Sequence, residues 1–411
     1  MLRRNIQERL QRTLQDTPVV LLAGARQTGK TTLARLLAEQ AQASYVTLDD
    51  ATVLAAASTD PIGFVRGLGG RAVIDEAQKA PALFPAIKVS VDGQRSPGRY
   101  LLTGSANIQF IPKVAESLAG RIEVLTLYPL SQGELSGKRE LLIDRLFAGE
   151  TPAHDPVAKA IDLVAAVATG GFPEAIERTD ETRRDAWFGA YLSAILQRDV
   201  RDIAHIEGLT ELPRLLALLA SRSGGLLNAS DLARASAIPQ TTLKRYLALL
   251  EATYLHQPLP AWSRNLGNRL VKAPKVHLLD SGLSSYLTGR NSAALRADAH
   301  AFGQQLETFV VAELRKHVTW QSTAVQLYHY RALRSSREVD VVLEDRRGAV
   351  VGIEVKAAAT VQTKDFNGLK DLAAEAKGRF RAGVVLYTGD QPVAFGERLF
   401  ALPVAALWAT T

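Results

Sequence analysis

The stretch PVVLLAGARQTGKT, Pro18 to Thr31, decides the fold. Its opening, Pro18–Ala23, is a continuous apolar run, the pattern of a strand buried on both faces of a parallel sheet. TLARLLAEQA, Thr32 to Ala41, then repeats apolar residues at helical spacing. Between them stands Gly-x-x-x-x-Gly-Lys-Thr, a loop that delivers its backbone to a helix N-terminus, where unpaired N–H groups face an anion. The spacing predicts that Gly24, Ala25, Arg26, Gln27, Thr28, Gly29, Lys30, Thr31 and Thr32 cradle ATP. Lys30 is expected at the β- and γ-phosphates and the Thr31 hydroxyl on Mg²⁺.

AVIDEAQKAP, Ala72 to Pro81, is a short apolar strand that ends in two carboxylates. Ligands of α/β sheets bind at the carboxyl ends of strands, so this acid pair is expected beside the phosphate loop. Asp75 suits a Mg²⁺ ligand and Glu76 the group that orients or deprotonates the attacking water, a pairing that predicts hydrolysis as well as binding. GRYLLTGSANI, Gly98 to Ile108, runs from apolar to polar in the same way, and Ser105 or Asn107 is placed to sense the γ-phosphate.

GARQTGKT, IDEAQKAP, LLTGSAN and SLAGRIEVLTLYPLSQGE together resemble the AAA+ ATPases that carry a C-terminal domain of unknown function 4143. The resemblance continues through GGFPEA (Gly170–Ala175), AYLSAILQRDVRDIA (Ala190–Ala204), KVHLLDSGL (Lys275–Leu283), REVDVVLED and GIEVKAA, and so covers essentially the whole chain. It implies that Arg121, just before the apolar run IEVLTLYPL, serves as an arginine finger for the neighbouring subunit's γ-phosphate, hence a homo-oligomer such as a hexameric ring. The alternative is a surface arginine flanking a strand. A lid sensor is implied as well, at Arg198 or Arg184.

The chain has 411 residues, 47% hydrophobic, enough for several domains with cores of their own. It lacks cysteine, which excludes disulfides and thiolate metal sites. No apolar stretch approaches the ~20 residues of a membrane span, and the start MLRRNIQERLQ lacks the apolar segment of a signal peptide. With an ATP site, this predicts a cytoplasmic protein and no membrane partner. The net charge of +7 suits a polyanion such as DNA, though equally no partner at all.

Four parts are expected: an ATPase core over 1–141, a helical lid over 142–207, a winged helix-turn-helix over 208–290 and a restriction-endonuclease-like α/β domain over 291–411. The third part rests on three helical segments, TELPRLLALLASRSG, NASDLARASAI with Asn228 and Ser230 as caps, and PQTTLKRYLALLEATYL. Gln240, Thr241, Thr242, Lys244, Arg245 and Tyr246 then face DNA. WSRNLGNRLVKAPK adds Arg264, Arg269, Lys272 and Lys275 without a single acid, with Trp262 as a stacking group. Helices used only for packing or subunit contacts are the alternative.

In the last part, EVDVVLED and GAVVGIEVKAA alternate as a hairpin around Arg-Arg-Gly, and GQQLETFVVAELRKH is an amphipathic helix bearing Glu307. Asp340, Glu354 and Lys356 with Glu307 resemble the core of PD-(D/E)xK nucleases. The carboxylates of Glu307, Asp340 and Glu354 suit Mg²⁺, and Lys356 suits activation of a water. The same carboxylates could instead bind a DNA-associated metal or a lysine of a neighbouring subunit without hydrolysing anything. The leading expectation is a DNA-dependent ATPase acting on duplex or branched DNA in repair, recombination or defence, with a metal-dependent nuclease domain. The rival is a nucleotide-controlled switch or scaffold.

Overall fold

The computed structural model describes residues 2–105, 118–150, 161–200, 209–332 and 337–408. The chain divides into two compact units, one of Arg3–Pro129 with Leu249–Leu255, the other of Leu130–Ala248 with His256–Thr411.

In the first unit, β1 (Val19–Ala23), β2 (Ser44–Thr47), β3 (Ala72–Asp75), β4 (Tyr100–Gly104) and β5 (Ile122–Thr126) form a parallel sheet in the order β2-β3-β4-β1-β5. All five residues of β1 are fully buried, as an uninterrupted apolar run on a central strand requires. Each of its valine and leucine side chains contributes roughly 1.5–3 kcal/mol by leaving water. Because Ala23 lies opposite Gly104 and Ile74 opposite Leu102, the loops after β1, β3 and β4 leave the sheet at one edge. Val19 lies opposite Ile122, so Arg121 stands at the other edge.

The second unit contains a mixed sheet in the order β10-β11-β9-β8-β7-β6. Its strands are β6 (Val325–Arg331), β7 (Glu338–Asp345), β8 (Val350–Lys356), β9 (Phe380–Tyr387), β10 (Val393–Gly396) and β11 (Leu399–Pro403). The expected hairpin is present, with β7 and β8 antiparallel and Gly348 at φ 78° in the turn. The helix Ala299–His317 covers one face and Asn367–Ala376 the other, burying Phe309 and Val310 on one side and Leu369 and Leu372 on the other. The long helix starts at Asp298, which accepts the N–H groups of His300 and Ala301 at 3.0 Å, and carries Arg315 and Lys316 in its last turn, cations that suit its negative pole.

Two sequence expectations change here. The boundary at 141 falls inside the second unit, since Leu142, Ile143 and Leu146 pack in the same core as Phe309, Val341 and Ile353. Residues from 142 therefore begin as part of the C-terminal core rather than as a lid. The SQGEL segment is tied there too: Gln132 N–H donates to Glu313 at 2.9 Å, Gly133 N–H to Glu140 at 3.0 Å, and Lys316 Nζ to Glu313 at 2.6 Å. Glu140, Glu313 and His317 thus form a buried cluster whose carboxylates bond to the protein itself. The turn expected at Pro152–Pro156 lies outside the described residues.

GGFPEA and KVHLLDSGL, distant in sequence, meet. Asp280 accepts the Gly171 N–H at 2.7 Å and caps the helix Ser281–Thr288 through the Leu283 N–H at 3.1 Å. Gly170 has φ +73°, and a Cβ there would lie 2.0 Å from Asp280 Oδ1, which explains glycine at that position. The helices Leu212–Ser221, Ala229–Ser236 and Gln240–Ala252 fall where expected, and Asn228 caps the second by accepting the Asp231 N–H at 3.0 Å. Antiparallel bridges Leu226–Lys275, Leu259–Lys275 and His256–Leu278 join three short extended segments around them.

Candidate functional site

The phosphate loop follows from its glycines. Gly24 at φ +151° has no room for a Cβ, which would lie 2.2 Å from the Leu127 carbonyl oxygen, and Gly29 at φ +93° turns the chain into the helix Lys30–Ala41. Gln27 also adopts a left-handed conformation, at φ 60°, a strain that clusters at ligand-binding loops. Thr28 Oγ1 donates to the Ala25 carbonyl at 3.0 Å, and Lys30 Nζ to the Gly24 and Ala25 carbonyls at 3.0 and 2.7 Å. Arg4, unremarked in the sequence, is buried and braces the loop from outside: its guanidinium donates to the Thr28 carbonyl at 2.6 Å and the Tyr128 carbonyl at 2.7 Å. Arg26 and Thr32 belong to the same loop and helix start.

Asp75 is buried at the end of β3, and Thr31 Oγ1 donates to both of its carboxylate oxygens, at 3.2 and 3.0 Å. Tyr45 OH adds a bond at 2.9 Å, and Thr103 Oγ1 another. Neither Tyr45 nor Thr103 was singled out in the sequence, although Thr103 sits at the apolar-to-polar change in LLTGS that marks the strand's end. Glu76 follows with φ 57°; its N–H donates to Thr103 Oγ1 at 3.0 Å, and its carboxylate accepts from Gln78 Nε2 and, at 3.3 Å, from Ser105 Oγ. Gln78 also donates to Ser105 Oγ at 3.0 Å, so Glu76, Gln78 and Ser105 form one network beside the phosphate loop. Asn107, the other sensor candidate, lies outside the described residues. The hydroxyl of Thr31 and the carboxylate of Asp75 are hard oxygen donors side by side, and with the loop's open glycine backbone they fit a Mg²⁺-nucleotide.

Arg121 stands at the sheet edge away from this chain's own phosphate loop. Its guanidinium grips Asp92 at two points, one of them 3.0 Å long, and donates to the Ala119 carbonyl at 3.0 Å. The paired guanidinium holds the Asp92 carboxyl below its ordinary range. Of the two lid candidates, Arg184 is buried and donates to the Arg178 carbonyl at 3.3 Å, whereas Arg198 is exposed.

Glu307, Asp340, Glu354 and Lys356 come together as expected, but a fifth residue stands among them. Lys275, 2% exposed, places Nζ 2.8 Å from Glu307 Oε1 and 2.9 Å from Asp340 Oδ1, with Glu338 at 3.8 Å. Asp340 Oδ2 accepts the Val355 N–H at 2.9 Å, and Lys356 Nζ donates to Glu354 Oε1 at 2.7 Å. Burial, reinforced by the Asp340 charge, pushes both Glu307 and Glu354 upward. The expectation was that Asp340 and Glu354, with Glu307 in support, hold Mg²⁺; the structure places the Lys275 ammonium between Glu307 and Asp340, where it would repel a second cation.

The expected nucleic-acid face is also redrawn. Gln240, Thr241, Lys244, Arg245 and Arg264 are exposed, and Thr242 and Lys272 are half-buried. Tyr246 and Trp262 are buried, and Trp262 Nε1 donates to Glu344 at 3.2 Å, so neither offers a ring to a base. Arg269 makes a two-point pair with Glu344 at 2.6 and 2.8 Å, both side chains nearly buried. Lys275 is held by the carboxylates. The acid-free stretch 262–275 misled because its counter-charges, Glu344, Glu307 and Asp340, lie far along the chain.

The parallel sheet with β4 between β1 and β3, the glycine loop at a helix N-terminus and the acid pair at the same edge define a P-loop nucleotide-binding protein. Residues 16–136 match the AAA domain, 161–294 the domain of unknown function 8612 and 302–407 the domain of unknown function 4143. The uncharacterized proteins Rv2008c of Mycobacterium tuberculosis and Mb2031c of Mycobacterium bovis are each 30% identical over 99% of this chain and 85% of their own length. Among solved structures, the Walker-type ATPase PABY2304 of Pyrococcus abyssi is similar at 14% identity and a TM-score of 0.43, over 70% of this chain and 96% of that one. The chain belongs to the P-loop AAA-type ATPases with a C-terminal domain of unknown function 4143.

Proposed function

We propose that this protein hydrolyses ATP and couples the hydrolysis to DNA. The observation that carries the first half is the shared edge: Thr31 and Asp75 touch, and Glu76 stands beside them with its carboxylate held by Gln78 and Ser105. Bound Mg²⁺ supplies charge neutralisation at the phosphates. Lys30 and the loop N–H groups bind and orient the triphosphate, and Glu76 takes the proton of the attacking water at a carboxylate oxygen. Arg121, being remote from its own loop, serves only a neighbouring copy, so the active form is a homo-oligomer, a hexameric ring in the simplest case. ATP places the protein in the cytoplasm, and no helix among the described residues is long and apolar enough to cross a membrane.

DNA enters through the three helices of 212–252 and the three bridged segments, an order that supports a winged helix. The exposed face of the third helix, with Gln240, Thr241, Lys244 and Arg245, meets the groove, and Arg264 and Lys272 follow the phosphates. The C-terminal sheet with its long helix reads as a restriction-endonuclease-like fold. Lys275 among the carboxylates favours a second reading, in which that fold is a binding platform and not a cutter. Hydrolysis rates measured without DNA and with single-stranded, duplex and four-way-junction DNA test the coupling. A rate unchanged by every DNA, with no binding to any, would remove DNA and leave a nucleotide-controlled switch acting on a protein partner.

A further inference from the structure

We infer that Lys275 is the permanent cation of the C-terminal carboxylate cluster: its ammonium stands where a nuclease of this fold would hold a divalent ion, and the cluster binds no metal while Lys275 is seated. The inference rests on the nuclease-like reading of the C-terminal domain and is independent of ATP hydrolysis and DNA binding.

Asp340 on β7 and Glu354 on β8 are cross-strand neighbours, one step beyond the paired Val341 and Ile353, and Glu307 approaches from the long helix. A divalent ion in this frame would take one oxygen from each of Glu307 and Asp340 at about 2.0–2.6 Å. In place of an ion, Lys275 Nζ donates to those two oxygens at 2.8 and 2.9 Å, ordinary lengths for charge-assisted hydrogen bonds. Its side chain is 2% exposed, so the ammonium is held by the carboxylates rather than by bulk solvent.

Lys275 is also fixed from behind. It lies on an extended segment that bridges both Leu226 and Leu259, with its own N–H and carbonyl exchanging hydrogen bonds with Leu259 at 2.9 Å each. The next segment closes the cluster from the other side. Gly224, φ +81°, has no side chain where Glu307 packs, since a Cβ there would meet Glu307 Oε2 at 2.8 Å, and Ser223 Oγ bonds to Thr308 Oγ1 at 2.7 Å. Lysine and glycine, on neighbouring segments, thus both pack against the Glu307 carboxylate.

Charge agrees. Glu307, Asp340, Glu354 and Glu338 face Lys275 and Lys356, and a divalent ion at the Glu307 and Asp340 oxygens would meet the repulsion of the Lys275 ammonium already bonded to them. Removing only the Lys275 ammonium reverses this balance and leaves hard oxygen donors on a preformed frame.

The test uses the full chain, without nucleotide, and Mn²⁺ as the probe. Binding is followed by the loss of the free-ion paramagnetic resonance signal in wild type, Asp340→Asn, Lys275→Met and the double variant Lys275→Met with Asp340→Asn. Wild type and Asp340→Asn should bind Mn²⁺ alike, whatever weak sites lie elsewhere. Lys275→Met should gain one equivalent that the double variant loses, and its melting temperature should rise with Mn²⁺ while that of wild type does not. If wild type binds an ion that Asp340→Asn abolishes, the inference fails. It fails too if folded Lys275→Met gains no ion. Should Lys275→Met fold only with Mn²⁺ present, the substitution of metal for ammonium is supported directly; should it fold under neither condition, the wild-type and Asp340→Asn comparison decides alone.

Discussion

Thr31 Oγ1 donates to Asp75 across 3.0 Å, joining the first turn of the helix after the phosphate loop to the end of β3. The contact brings two oxygen donors to one point, and Glu76, next in the chain, is turned aside by its φ of 57° toward Gln78 and Ser105. The proposed mechanism gives binding and water activation to different groups. Lys30→Ala should weaken ATP binding, whereas Glu76→Gln should keep ATP bound and slow turnover by about 10²–10⁴-fold, the range of a lost general base. Nucleotide affinity by fluorescence titration and steady-state phosphate release separate the two. Equal loss of affinity in both variants would end the division of labour.

Arg121 and Asp92 hold each other at the far edge of the same sheet. The pair holds the guanidinium in a defined position, and the proposed arginine finger would act on a neighbouring copy. Arg121→Ala should reduce hydrolysis by roughly 10³-fold or more, as for other arginine fingers, without weakening ATP binding to the same subunit. Mixed oligomers of Arg121→Ala and Glu76→Gln should recover part of the rate, because some interfaces then pair an intact Arg121 with an intact Glu76. Stable mixed oligomers with no recovery, or a fully active monomer, would return Arg121 to an ordinary surface ion pair.

Placement that depends on near neighbours in sequence was legible. The loop Gly24–Thr31, the pair Asp75–Glu76 and the two-residue spacing of Glu354 and Lys356 carry their geometry in local spacing, because a strand, a turn or a helix start sets it. Pairing across long stretches was not legible. Nothing local to Lys275 announces Glu307 and Asp340, and nothing local to Arg269 announces Glu344; a basic stretch free of acids looks the same whether it faces DNA or buried carboxylates. The buried Tyr246 and Trp262 failed for a related reason, since an aromatic ring serves a core as well as a base stack. The boundary at 141 failed because the helix 142–148 has an apolar face that any neighbouring core could cover.

The basic residues divide into charge exposed on the surface and charge that holds the fold. Lys244 and Arg245 are exposed on the third helix, whereas Arg269 is locked to Glu344 at 2.6 and 2.8 Å. Lys244→Ala with Arg245→Ala should weaken DNA binding and lower the salt slope by about 0.9 for each phosphate that is no longer neutralised, leaving the melting temperature unchanged. Arg269→Ala should do the reverse. It strands Glu344 in a nearly buried position and should cost about 1–3 kcal/mol of stability with the salt slope intact. Affinities at several salt concentrations beside thermal melts distinguish these outcomes, and a shallower slope in Arg269→Ala would put Arg269 back on the DNA.

Acid should weaken the fold through a histidine. His329 on β6 is buried, its Nε2–H donates to the Ala273 carbonyl at 3.1 Å, and its Nδ1 has no hydrogen-bond partner. Burial pushes it down to about 4; the Ala273 carbonyl opposes this, Lys275 and Lys272 add to it, and Asp340 opposes weakly. The folded state therefore keeps His329 neutral where the unfolded chain, titrating near 6.5, takes up a proton. Between these values the unfolded state binds more protons, so stability rises with pH; it is fully present above about 6.5 and is lost as the pH falls toward 4. His277, wholly buried and pushed down first by burial and then by Lys275, acts in the same direction. One group shifted this far contributes up to about 3 kcal/mol. Urea midpoints of wild type should fall steadily from pH 7 to pH 4, and His329→Gln should flatten part of that fall, because glutamine has no proton to take up. A His329→Gln protein with the full wild-type acid slope would move the cause of acid sensitivity away from this histidine.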